Sequence, residues 1–188
     1  PALLMIGLIA VSIYAGCTPK DSVNPTGTPV PKARIISFDG ICTEILFALG
    51  AGADVVARDD SAYYPPEAMA LPSIGTSTNT NMEAVLQLKP TLVVTVDHPM
   101  RQSQVKQLRD LNMNACITPY ATNPNQAMER IRMIAEAVGR VEEGRQLTDK
   151  MGTDLQEVSA KVATRREAGE KAPRVLFLLV NLGSATML

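Results

Sequence analysis

Thr91-Leu92-Val93-Val94-Thr95-Val96 is the stretch that decides the fold. It is a nearly unbroken apolar, β-branched run, bounded by Pro90 on one side and Asp97-His98-Pro99 on the other. A strand that faces water on one side alternates polar and apolar residues. One covered on both faces does not, and that is the habit of parallel strands between helices. Outward from it, Arg34–Phe38, Asp54–Arg58 and Ala115–Ile117 read as further short strands. Between them lie helical patterns. Thr43 and Glu44 open an apolar helix over Ile45–Leu49, stopped by Gly50 and Gly52. Pro66–Ala70 reads as a single helical turn, and Asn81 as the N-cap of a helix over Met82–Leu88, with Glu83 in its first turn. Val105, Leu108 and Leu111 mark another helix. Strands alternating with helices predict an α/β domain built on a parallel sheet with both faces covered.

The character changes at Asn123-Pro124, a cap followed by proline at the first helical position. Met128, Ile131, Ile134, Ala135 and Val138 form one apolar stripe, and Gly139 and Gly144 bracket an expected break. Leu147, Met151, Leu155, Val158 and Val162 carry the stripe on. Residues 125–171 hold nine basic and nine acidic side chains, about half of the 18 and 19 in the chain. That balance describes a solvated outer helix face rather than a charged interaction tail. Pro173 closes the helical stretch, and Arg174–Val180 reads as a new apolar strand.

Upstream, residues 2–16 (ALLMIGLIAVSIYAG) are apolar and uncharged. About 20 such residues are needed to cross a bilayer, so the run suits the core of an export signal. It ends in Tyr14-Ala15-Gly16-Cys17, small residues before a cysteine, which resembles a lipobox whose Cys17 becomes lipidated. Tyr14 departs from the aliphatic residue usual there. Residues 18–32, with four prolines, read as an extended hydrated tether. Together these predict a domain held outside a membrane by a lipid anchor.

Composition removes several functions. A net charge of -1 gives no cationic field for nucleic acid. The 46% apolar content is too high for a disordered chain, and three cysteines cannot build a disulfide framework. Cys42 and Cys116 sit in apolar stretches and read as buried thiols, with a disulfide as the alternative. There is one histidine, and no CxxC, HExxH, GxSxG or phosphate-loop pattern, so no catalytic constellation is legible.

Three segments in order carry a resemblance. RIISFDGICTEILFALGAGADVVARDD resembles the opening strand, Thr-Glu helix and second strand of the extracytoplasmic binding proteins that deliver iron complexes and cobalamin to ABC importers. YYPPEAMALPSIG resembles that family's Tyr-Pro loop and Leu-Pro turn, and NMEAVLQLKPTLVV its Asn-Leu-Glu helix and following strand. The resemblance runs from about Arg34 to the end. It implies a two-lobed α/β fold, with parallel-sheet lobes joined by a long rigid helix and the ligand in the cleft between them. On that frame, residues 1–17 are signal peptide and lipobox, 18–32 the tether, 33–121 the N-terminal lobe, 122–172 the connecting helices, and 173–188 the start of the second lobe. Most of that lobe is then expected to be missing. A chain that begins with Pro1 and closes on RVLFLLVNLGSATML fits this expectation, under which residues 33–188 alone bind a ligand poorly.

Ligands of open parallel sheets bind outside the carboxyl ends of the strands, which points to Phe38, Asp39, Asp59–Tyr64, Asp97 and His98. The resemblance implies that Tyr64 occupies the position where heme-binding relatives carry an iron-ligating tyrosine. A phenolate is a hard donor suited to ferric iron. Cobalamin- and siderophore-binding relatives share the Tyr-Pro pair, so a pocket-lining Tyr64 stays open, with Tyr63 as its neighbour. His98 follows the central strand at its ligand end and offers an imidazole to iron or to a propionate. Thr76, Ser77 and Thr78 follow Gly75 in the family's cleft loop. Glu83 aligns with a glutamate that docks on arginines of the permease dimer. The implied function is capture of an iron complex (heme preferred, or a ferric siderophore) for an ABC importer. A cobalamin-binding protein is the alternative within the family. An exported metal-handling enzyme is the alternative of another class, weakened by the lack of any recognisable spacing among Asp39, Asp59, Asp60, Asp97 and His98.

Overall fold

The computed structural model describes residues 32–176. The signal-like segment, Cys17, residues 18–31 of the tether and residues 177–188 lie outside them, and with these most of the strand expected over Arg174–Val180. Arg174, Val175 and Leu176 have no regular structure.

Four strands form one parallel sheet. They are β1 (Ile35–Ser37), β2 (Val55–Arg58), β3 (Leu92–Asp97) and β4 (Ala115–Pro119), in the order β2-β1-β3-β4. β3 is central and its residues Leu92–Val96 are all buried, as an unbroken apolar run requires. The pleat sends successive side chains to opposite faces, so each strand feeds two cores. Ile35, Val94 and Val96 pack on one face with Leu46 and Leu49 of α1 (Gly40–Ala48) and with Ile131 and Ile134 of α4 (Pro124–Ala137). Ile36, Phe38 and Val93 pack on the other with Val85 of α2 (Met82–Gln87) and Leu108 of α3 (Gln102–Asp110). Pro66–Ala70 forms a short 3-10 turn, as its sequence suggests.

Two helix expectations shift. α1 begins at Gly40, not at Thr43 and Glu44, because the Asp39 carboxylate caps it by accepting the Ile41 N–H at 2.9 Å. Thr43 then lies inside the helix, buried, with its hydroxyl on Ser37 Oγ at 2.9 Å, while Glu44 points to solvent. The second concerns the two glycines. Gly139, with φ +69°, ends α4 in the left-handed region that glycine enters without strain. Gly144 breaks nothing. It lies in the first turn of α5 (Val141–Glu167), where a Cβ would stand 2.4 Å from the Cβ of Ala135, so glycine is what lets α5 close on α4.

α5 has two halves. Leu147 and Met151 pack against the core and Thr148 is buried, while Val158 and Val162 are at least half exposed. The apolar stripe read from the sequence is continuous, but only its first part is covered among the described residues.

Candidate functional site

The chain order around β1 sets the site. β1 leads through α1 to β2 on one side, and β2 returns through α2 to β3 on the other side of β1, so the strand order reverses at β1 and the crevice of the sheet opens beyond the carboxyl ends of β1 and β3. Asp39 follows β1, Asp59 follows β2, Asp97 ends β3 and His98 follows it.

The floor of this crevice is a buried charge cluster that the sequence does not announce. Arg101 lies in the 3-10 turn Pro99–Arg101, with 6% of its side chain exposed. Its Nη2 meets Asp59 Oδ2 at 2.8 Å and Asp39 Oδ2 at 3.2 Å. Asp59 Oδ1 also accepts the Ser61 N–H (3.2 Å) and hydroxyl (2.8 Å), and Ser61 Oγ accepts the Gly40 N–H at 3.0 Å. The one available signal for Arg101 is its position. A cation at a helix N-terminus opposes the helix dipole and is tolerated beside carboxylates. Beneath the cluster, burial pushes the Cys42 thiol well above the ordinary range, and the Asp39 charge adds to the rise. Burial also raises the partly covered Cys116 thiol. Neither thiol forms a disulfide among the described residues.

Above this floor stand exposed groups. Tyr63 and Tyr64 are 73% and 63% exposed. Tyr64 borders a shallow groove of about 350 Å³ with Glu44, Phe47, Pro65 and Glu67, on the α1 side. His98 packs edge-on against Tyr120, ring centroids 4.7 Å apart. Tyr120 follows β4, and only its place just past a strand end could have marked it in the sequence. The His98 Nδ1 accepts the Met100 N–H at 3.1 Å. That bond assigns the proton of the neutral ring to Nε2, so His98 presents an N–H donor rather than a free lone pair.

The candidate residues therefore divide. Asp39 is in the charge cluster, His98 is with Tyr120, and Tyr63 and Tyr64 stand in the loop after β2. Thr76 and Ser77 are in the next loop, where their carbonyls accept from Gln104 Nε2 of α3. Phe38 is a correction. It is fully buried among Ile36, Ile74 and Val93, because the alternation that follows β1 turns its ring into the core, and it lines no outer surface. Glu83 stands apart on the exposed first turn of α2, where its Oε1 accepts from Gln87 Nε2 at 3.5 Å. No group of three or more His, Cys, Asp or Glu side chains converges to hold a metal among the described residues.

Residues 35–187 match the family model described as periplasmic binding protein. The chain belongs to that family. An uncharacterized ABC transporter substrate-binding lipoprotein of Bacillus subtilis is 33% identical over 144 residues, covering 76% of this chain and 45% of the relative. A vitamin B12-binding protein of Vibrio cholerae is 32% identical over 112 residues, 51% of this chain and 41% of the relative. Among solved structures, the periplasmic heme-binding protein RhuT of Roseiflexus, in apo form, matches with TM-score 0.57 and 34% identity over 72% of this chain and 49% of its own. The vitamin B12-binding protein BtuF of Vibrio cholerae matches with TM-score 0.65 and 26% identity, over 73% and 53%. The chain thus spans about half the length of these periplasmic binding proteins, and the described residues form one parallel-sheet lobe.

Proposed function

We propose that this chain carries one lobe of the substrate-binding component of an ABC importer, and that the ligand is an iron complex, heme first. The observation that carries the reading is the pairing of an exposed phenol, Tyr64, with an imidazole–phenol pair, His98 and Tyr120, along the carboxyl ends of one sheet. The likeness to a heme-binding protein at 34% identity supports it. Strands lie about 4.8 Å apart, so the loops after β2 and β4 are separated by about 14 Å, the span of a flat macrocycle. In this reading Tyr64 supplies a phenolate to ferric iron, with Tyr63 beside it. His98 donates its Nε2–H to an acceptor such as a propionate, and Tyr120 packs on the ring. Ser77 and Thr76 add hydrogen bonds at the rim. The cluster of Asp39 serves the floor and not the ligand.

The rest of the reading follows the same family. Residues 33–121 are the lobe and 122–172 the helices leading from it toward a second lobe, which completes the cleft. Glu83, exposed on α2, docks on arginines of the permease dimer. The protein acts outside the cytoplasm, anchored through Cys17, and binds its ligand without transforming it.

Hemin titration of the protein with both lobes present tests the ligand. The expected result is a shifted Soret band that Tyr64→Phe abolishes. Cobalamin is the second reading, favoured by the 32% identical vitamin B12-binding relative. No spectral change with hemin, together with calorimetric heat on injecting cyanocobalamin, selects it. Silence in both experiments overturns the metal-macrocycle reading altogether.

A further inference from the structure

The turn after β3 touches every loop that carries a candidate contact. Arg101 holds Asp39, at the start of α1, and Asp59, which in turn fixes Ser61 two residues before Tyr63. Gln104, three residues further on and 3% exposed, donates from Nε2 to the carbonyls of Thr76 and Ser77 and to Thr80 Oγ1 (2.9 Å). His98 opens the same turn and touches Tyr120 of the remaining loop. Four loops are thus tied to one seven-residue segment, His98–Gln104.

These ties are poor stabilisers. Arg101 Nη1 and Gln104 Oε1 are buried without a partner. An unpaired buried polar atom carries its full desolvation cost, and apolar side chains of similar volume commonly replace a buried ion pair at no loss. What the fork of a guanidinium and the planar amide supply, and a leucine does not, is direction. We propose that Arg101 and Gln104 are positioning residues: acting through Asp59, Asp39 and the Thr76–Thr80 backbone, they set the ligand-facing loops before any ligand arrives. This assignment rests on the carboxyl edge being the ligand face, but half of its test needs no ligand.

The test is hydrogen–deuterium exchange on the full chain, followed by hemin titration. Gln104→Leu speeds exchange of residues 76–80 about tenfold while Leu92–Val96 of β3 exchanges as in the parent, and Arg101→Met, which also lowers global stability, speeds residues 59–64 about tenfold more than it speeds β3. Arg101→Lys, which keeps the charge and loses the fork, recovers part of the protection. Where Arg101→Met does not fold, the pair Arg101→Met with Asp59→Asn removes the tie without stranding the Asp59 charge. A uniform rise that includes β3, or no rise at all, overturns the proposal. With hemin, both variants weaken binding about tenfold although Tyr64 and His98 are intact. Local loosening with unchanged hemin affinity overturns positioning. A parent protein that binds no hemin even with both lobes present sinks the functional reading alone, and the exchange result still decides the ties.

Discussion

The two ends of the sheet are closed by different chemistry. At the amino end, hydrogen bonds to carbonyl and hydroxyl oxygens, with no ion pair among them, do the work: Arg34 N–H to Thr91 Oγ1 at 2.9 Å, Arg34 Nε to the Leu88 carbonyl at 2.8 Å, and Asn114 Nδ2 to the Thr91 carbonyl at 2.8 Å. They are exposed, and each fixes one neighbour. At the carboxyl end a buried guanidinium meets one buried carboxylate, Asp59, and one half-buried, Asp39, under a rim of exposed rings. The first arrangement costs little and orients little. The second desolvates three charges and fixes several loops at once. An end that only has to stop a sheet has no use for the second kind, so the contrast by itself marks which end does something.

Four measurements sharpen or break this contrast. The largest effect belongs to Arg101→Met, which leaves Asp59 buried and uncompensated. Urea unfolding should show a loss of about 3–5 kcal/mol. A loss below about 1 kcal/mol would mean that the cluster is solvated and the two ends are alike. Asn114→Ala at the opposite end should cost about 1 kcal/mol by the same assay. If it equals Arg101→Met, the contrast fails. His98→Ala removes a half-exposed ring and a side-chain cap, so unfolding should move by about 0.5 kcal/mol. A larger loss would make His98 part of the floor instead of the rim. The last effect is alkaline. Burial holds the Cys42 thiol protonated in the fold, whereas the unfolded thiol ionises near about 8.5. The folded state then keeps a proton that the unfolded state releases. The stabilisation is therefore complete below that pH and is lost as pH rises through the elevated folded value. Urea midpoints should fall in that window, and Cys42→Ala should flatten the fall. An unchanged slope would place Cys42 outside the dry floor.

Most of the frame can be read directly from the residues. The two-sided apolar run of β3, the caps Asn81 and Asn123 and the turn at Pro66–Ala70 are local signals, and local signals survive folding. What fails depends on three dimensions. Asp39 is legible as a residue just past the first strand, but its capping of α1 depends on the backbone at Gly40. Gly144 looks like a breaker because sequence shows the missing side chain and not the Ala135 that needs its room. Phe38 stands one residue past β1, where strand alternation settles inward or outward, and a run of four apolar and small residues, Ile35–Phe38, leaves that parity open. Arg101, Gln104 and Tyr120 are ordinary polar residues in sequence, and their meaning is wholly in their partners. The candidate rim was found because position after a strand is a sequence property. The floor was missed because an ion pair across 42 residues is not.

The close approach of Gly144 to Ala135 has a mechanical consequence. From that pivot α5 runs 23 residues to Glu167, about 35 Å at 1.5 Å per residue. Its outer turns lean on nothing else among the described residues, so the direction of the whole arm is set near its root. An arm of that length multiplies error: a tilt of about 6° at the pivot carries the far end through about 3.5 Å, more than a hydrogen bond's length. One missing methyl group thus calibrates an angle, and whatever the far end of α5 meets inherits that calibration.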